Sequence, residues 1–254
     1  MYRKGAPIIG WSPRFIPALA MFHFALSAVR VCDWVIYRTR ILGRQHLRSL
    51  PAAVVVSNHT LLFDPGIVAH AIRPRRTYFT MLEQTALIPY LGTFVRLLGA
   101  VPIPEGPGSL RILDDAARAA FGTFGLIHFF PEGELSLHNQ ELQPFHPGAF
   151  LLACRRGVPV VTVTTVLHQR LWRGRPWVRI AGHTLRLPPR LSIVIGPPRY
   201  PDEQDRRSPV RAARVMADRV RQEMQAAIDR HGGCKTMGRG LMPRLGKRPE
   251  KQSA

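Results

Sequence analysis

A chain of 254 residues that is 46% apolar and carries a formal charge of +20 can bury one large core and is too apolar to be a disordered polyelectrolyte. The charge favours an anionic partner: nucleic acid, an anionic membrane face or an acidic carrier protein. Three cysteines, Cys32, Cys154 and Cys234, lie far apart with no Cys-x-x-Cys, which argues against a disulfide framework or a zinc site and fits a reducing compartment.

Residues 15–29 are apolar apart from His23 and Ser27 and are flanked by Arg14 and Arg30. As a helix they reach about 22 Å, short of the roughly 30 Å hydrocarbon core. The expectation is a monotopic helix lying in one leaflet. A secretory signal peptide and a plain buried helix are the alternatives. Residues 1–36 form this membrane-associated segment.

Residues 35–42 are a candidate strand ending at a turn on Gly43. Ala53 to Ser57 is a β-branched run, the composition of a buried strand. Asp64-Pro65 suits a helix start, and that helix should stop before Pro74. Tyr78 to Met81 reads as a strand, and 87–98 as a packed helix or part of a membrane face. Ala100 to Ile103 is extended. Ser109 should cap a helix whose apolar face is Leu110, Leu113, Ala117, Ala120 and Phe124. Leu126 to Phe130 is the next core strand, Gly148 to Cys154 a short helix ended by Gly157, and Val158 to Val166 another strand. Val178 to Ile180 and Leu191 to Ile195 are further strands.

Ser208-Pro209 opens a last helix with Val210, Ala213, Ala217, Val220, Met224 and Ile228 on its apolar face. Residues 233–254 read as a disordered basic tail. Strands alternating with helices predict an α/β fold, one domain over 37–232, with a mostly parallel mixed sheet flanked by helices.

In such sheets a site lies off the carboxyl ends of the strands. Two strand ends turn polar there: Ser57-Asn58-His59 after the first core strand and Pro131-Glu132-Gly133 after the fourth. A strand-turn-helix brings His59 against Asp64, and an imidazole held by a carboxylate is a general base. The bland alternative makes Asp64 a helix cap and His59 a polar strand end. Pro131-Glu132-Gly133 equally suits an ordinary turn.

Taken together, Asn58-His59 with Asp64, Phe130-Pro131-Glu132-Gly133, Pro144-Phe145 with Gly148-Ala149, and Val158 to Val161 resemble the glycerolipid acyltransferases, in particular the bacterial 1-acylglycerol-3-phosphate acyltransferase branch. The resemblance covers roughly residues 40–200. It implies transfer of a fatty acyl group from acyl-CoA or acyl carrier protein to a lipid hydroxyl, at the cytoplasmic face of a membrane, with no metal or bound cofactor. It implies that His59 is the base, that Asp64 orients it, and that Asn58, Glu132 and Gly133 contact substrate. Ser57 and Cys154 are then scaffold.

The chain departs from that family twice. Glu105 stands where the second motif has an arginine for the acceptor phosphate, and Glu134-Leu135 replaces Thr-Arg after Phe-Pro-Glu-Gly. Arg111, Arg96 or another arginine would supply the missing charge to a lysophosphatidate, and Arg111 is the better candidate because it sits in the first turn of the helix opened by Ser109. A non-phosphate lipid alcohol or an amino lipid is the alternative acceptor. The rival of another class is a basic nucleic-acid-binding module, against which the chain offers no RNP, zinc-finger or basic-zipper pattern.

Overall fold

The computed structural model describes residues 37–87, 99–103, 106, 109–168, 177–180, 183–186, 190–202 and 208–233, with Phe24, Ser27 and Val31. The expected leaflet helix over 15–29, the 87–98 segment beyond Leu87, Glu105 and the tail beyond Gly233 lie outside them. No helix among the described residues is long and apolar enough to cross a membrane.

Nine strands appear among the described residues: β1 Arg40–Leu42, β2 Ala53–Ser57, β3 Tyr78–Leu82, β4 Ala100–Ile103, β5 Leu126–Phe129, β6 Val160–Leu167, β7 Trp177–Ile180, β8 His183–Arg186 and β9 Leu191–Ile195. The helices are α1 Gln45–Arg48, α2 Asp64–Ala71, α3 Glu83–Ala86, α4 Ser109–Thr123, α5 Gly148–Arg156 and α6 Pro209–Arg230. Seven strands form one sheet in the order β1-β9-β6-β2-β5-β3-β4. The pairs β6-β2, β2-β5, β5-β3 and β3-β4 are parallel, and β9 joins β6 antiparallel with β1 parallel to it. The fold is therefore α/β with a mostly parallel mixed sheet, as the alternation of elements predicts.

The β-branched run Ala53 to Ser57 is buried along its whole length because β2 lies in the middle of the sheet with both faces covered. Its alternate residues feed two cores. Val54 and Val56 pack with Ala117, Ala149, Phe150, Ala217 and Val220 of α4, α5 and α6, while Ala53 and Val55 pack with Leu47, Ile67 and Val68 of α1 and α2. The handedness of crossovers explains the split. β2 leads over β5 to β3, and β5 leads back over β2 to β6. Right-handed connections in opposite directions must lie on opposite faces.

The same crossing fixes the site. β2 and β5 are parallel neighbours, with Ala53 to Val56 paired with Leu126 to Phe129, so their carboxyl ends open side by side.

Several expectations are corrected. The 35–42 strand is confined within the described residues to Arg40–Leu42. Val178 to Ile180 does not enter the main sheet: it lies in β7, which pairs antiparallel with β8 as a separate hairpin. Val210 is exposed, and the buried face of α6 begins with Ala212 and Ala213 instead. Phe124 follows the last residue of α4 and meets Tyr78 with ring centroids 5.0 Å apart. Asp64 is the first residue of α2 rather than its cap, a position held by Phe63.

Candidate active site

Asp64 is wholly buried, and its Oδ2 gathers three donors. The backbone N–H groups of Thr60 and Leu61 each donate to it at 2.7 Å, and the Nδ1–H of His59 donates at 3.0 Å. The carboxylate thus sits inside the turn it helps to form. An ionised acceptor with several donors is the strong form of the hydrogen bond. The turn leaves Leu62 and Phe63 pointing outward, 62% and 66% exposed.

The His59 side chain is 20% exposed. Its ring lies on that of Phe130, with centroids 4.0 Å apart and planes 18° from parallel. Nδ1 is taken by Asp64, so Nε2 is the nitrogen left to meet a substrate.

The backbone of His59 is held from the other strand end. Its N–H donates to Glu132 Oε1 at 3.0 Å, and its carbonyl accepts from the N–H of Ser136 at 3.0 Å. The N–H of His138 donates to the Thr60 carbonyl at 2.9 Å. Glu132 is buried and its Oε2 accepts the N–H of Gln143 at 3.1 Å. Burial pushes its carboxyl above the usual range, and the two backbone donors pull it back.

Gly133 turns with φ +73°, and a Cβ there would meet the His146 ring at 2.9 Å. Both the left-handed backbone and the close approach call for glycine. Gly133→Ala is expected to cost about 1–3 kcal/mol, read as a lowered urea midpoint; an unchanged midpoint would show that the loop relaxes freely.

Asn58 has both polar atoms of its side chain engaged by the sheet. It is buried, its Nδ2 donates to the Thr165 carbonyl at 2.9 Å, and its Oδ1 accepts the Thr165 N–H at 2.8 Å. The amide side chain extends the β2–β6 ladder by one rung. Gln140 does likewise from the loop after β5, donating to the same Thr165 carbonyl at 2.8 Å and accepting the Leu167 N–H at 2.9 Å. Arg111 stands apart, exposed in the first turn of α4. That helix follows β4 at the same end of the sheet, but β5 and β3 intervene between β2 and β4, about 14 Å of sheet.

Two buried polar residues, Ser57 and His128, are hydrogen-bonded to each other beside the site. Ser57 Oγ shares a hydrogen bond of 2.7 Å with His128 Nε2, and both are buried. The His128 ring meets Phe130 edge-on at 4.6 Å and Phe79 at 4.8 Å. Burial, aided by the nearby His59, pushes the His128 imidazole down to about 3, so it is neutral at pH 7. Because its folded value lies below the ordinary 6.5, the unfolded chain takes up the proton first. His128 therefore contributes stability above pH 6.5 that is lost as pH falls toward 3. The loss between pH 7 and 4.5 is expected to be on the order of 2–3 kcal/mol. Glu132, with its raised carboxyl, acts in the opposite direction. Urea midpoints at the two pH values, compared between wild type and His128→Gln, isolate the imidazole; equal pH dependence in the two proteins would contradict this.

Among the described residues no group of three or more His, Cys, Asp or Glu side chains is placed to hold a metal ion. Cys154 is a buried thiol in α5. The arrangement is a carboxylate-held imidazole at the mouth of two parallel strands, able to take a proton from a hydroxyl and return it.

Comparison with known proteins gives the same picture. The chloroplastic 1-acyl-sn-glycerol-3-phosphate acyltransferase BAT2 of Brassica napus is 31% identical over 153 residues, which is 56% of this chain and 42% of that protein. A 1-acyl-sn-glycerol-3-phosphate acyltransferase of Chlamydomonas reinhardtii is 33% identical over 133 residues, 50% of this chain and 38% of that protein. The matches thus span about two fifths of the length of these relatives. The crystal structure of the 1-acyl-sn-glycerophosphate acyltransferase PlsC from Thermotoga maritima shares the fold, with a TM-score of 0.53 at 19% identity over 82% of this chain and 80% of that one. The Acyltransferase family model matches residues 38–166, which include β2, β5 and the His59–Asp64 turn, and the chain belongs to that family.

Proposed function

We propose that the protein transfers a fatty acyl group from an acyl thioester, on coenzyme A or acyl carrier protein, to the free hydroxyl of 1-acylglycerol-3-phosphate, giving phosphatidate. The observation that carries this reading is the 3.0 Å contact between His59 Nδ1 and Asp64 Oδ2 at a strand mouth, in a chain whose relatives carry that activity in their names.

The chemistry follows from the geometry. A thioester is already activated, so the step needs a deprotonated alcohol and no enzyme nucleophile. His59 Nε2 takes the proton as the hydroxyl oxygen attacks the thioester carbonyl. The tetrahedral intermediate collapses with loss of the thiolate, and the imidazolium returns its proton to that sulfur. Asp64 holds the ring in the tautomer that leaves Nε2 free to accept and stabilises the imidazolium. Ser57, bonded to His128 and buried, remains scaffold.

The acceptor phosphate is assigned to Arg111, at the amino end of α4, where helix N–H groups also favour an anion. Arg111→Ala is expected to raise the Michaelis constant for lysophosphatidate tenfold or more and to leave that for the thioester unchanged. A panel of lysolipids with labelled acyl-CoA and acyl carrier protein tests both assignments. Equal use of acceptors with and without phosphate would overturn the phosphate assignment, and an amino lipid used in preference would replace the acceptor.

A lipid acceptor places the reaction at a membrane, and the charge of +20 suits its anionic surface. The outward Leu62 and Phe63 of the His59–Asp64 turn are the side chains we assign to that contact. The double variant Leu62→Ser/Phe63→Ser is expected to lose activity on vesicle-embedded acceptor about tenfold relative to a short-chain soluble one. Equal loss on both would contradict the assignment.

A further inference from the structure

We propose that Glu132 is a positioning residue that acts on the reaction through the backbone of His59, and not a residue that binds the acceptor. This rests on the assignment of His59 as the base. Glu132 reaches from the carboxyl end of β5 to the carboxyl end of β2 and has both oxygens engaged by main chain, Oε1 by the N–H of His59 at 3.0 Å and Oε2 by the N–H of Gln143 at 3.1 Å. It is 7% exposed, so little of its carboxylate faces a substrate. An anionic headgroup would also be repelled by it at close range.

What the carboxylate does hold is the peptide that carries the base. Residues 59 and 60 are fixed at four backbone points. Glu132 takes the His59 N–H, Asp64 the Thr60 N–H, and the N–H groups of Ser136 and His138 reach the two carbonyls. Two of these partners are carboxylates, one from each strand end. Asp64 sets the ring through Nδ1 and Glu132 sets the main chain from which the ring projects. Two carboxylates thus converge on one imidazole, and the Phe130 ring is stacked against it. A buried carboxylate is costly, and it is retained where two N–H donors converge that no neutral side chain accepts from as well.

Glutamine at this position keeps one acceptor atom and turns an NH2 group toward one of the two N–H donors. Aspartate is one methylene too short to span both. In either variant the His59 peptide gains freedom, and a small misplacement of a reacting group lowers turnover without changing what the site binds.

The experiment measures kcat and both Michaelis constants for wild type, Glu132→Gln, Glu132→Asp and His59→Ala. In Glu132→Gln kcat is expected to fall 10–100-fold with both Michaelis constants within about twofold; Glu132→Asp should fall in the same way. A rise in the acceptor Michaelis constant that exceeds the fall in kcat would make Glu132 an acceptor contact and overturn the proposal. Protein labelled with 15N-histidine supplies a readout that a merely structural role does not move. The His59 amide resonance should shift in Glu132→Gln while those of His46 and His168 stay. Equal shifts at all three, or loss of the folded spectrum in both variants, would leave Glu132 a residue of general stability and end the proposal. Near-native turnover in His59→Ala would instead remove the base assignment on which it rests.

Discussion

His59→Ala is expected to cut acyl transfer by about 10²–10⁴-fold while the protein stays folded. The imidazole makes one side-chain hydrogen bond, to Asp64, and stacks on one face of Phe130. Its removal leaves Asp64 Oδ2 with the Thr60 and Leu61 N–H groups, so the turn keeps its geometry. Initial rates of labelled product and the circular dichroism spectrum check the two halves of the expectation. A rate within threefold of wild type would show that another group removes the proton.

Asp64 is expected to separate two roles in two variants. In Asp64→Asn the amide oxygen can occupy the Oδ2 position and accept the same three donors, and Oδ1 has no hydrogen-bond partner for the new NH2 to disturb. The fold should hold, yet the charge that favours the imidazolium is gone, and turnover should fall by about 10²–10³-fold, in the range for loss of a base's orienting group. Asp64→Ala also orphans two buried N–H groups, at about 1–3 kcal/mol each. Its urea midpoint should drop clearly below that of Asp64→Asn. Equal midpoints would mean that water or a rearranged turn satisfies Thr60 and Leu61.

The residues that could be read from sequence were those whose chemistry depends on local spacing. His59 and Asp64 lie five residues apart across a strand end and a helix start, and a β-branched run followed by Asp-Pro specifies such a turn. The carboxyl ends of β2 and β5 fall together because parallel strands with right-handed crossovers leave few alternatives. Roles that depend on distant backbone were not legible. Asn58 looks like a polar strand end, but its partner is Thr165, 107 residues away. Glu132 looks like a turn residue that faces ligand, yet it finds the N–H of His59, 73 residues away. His128 hides inside the apolar run Leu126 to Phe130, and only the packing of Phe79 and Phe130 around it shows that it must be neutral. β8, the second strand of the hairpin, escaped because a short run such as His183–Arg186 carries no alternation strong enough to mark a strand.

The departures from the family pattern remain the most informative part of the sequence. Glu134 follows Gly133 where the family pattern has Thr-Arg, and Arg111 stands beyond two strands from His59. An acceptor bound to both would lie along the carboxyl ends of β2, β5, β3 and β4, with its hydroxyl at the first and its phosphate toward the last. That spacing of about 14 Å exceeds the hydroxyl-to-phosphate distance of a glycerol phosphate, so the Arg111 side chain has to reach back toward His59 to meet the phosphate.

The most direct measurement of the central claim incubates the purified protein with a labelled acyl thioester and lysophosphatidate, follows labelled lipid and free thiol together, and then counts label left on the denatured protein. The account predicts labelled phosphatidate formed one-to-one with free thiol, no label on the protein, and product formed about 10²–10⁴-fold more slowly with His59→Ala. No labelled lipid from any lysolipid with either thioester, or label retained covalently on the protein, would contradict it.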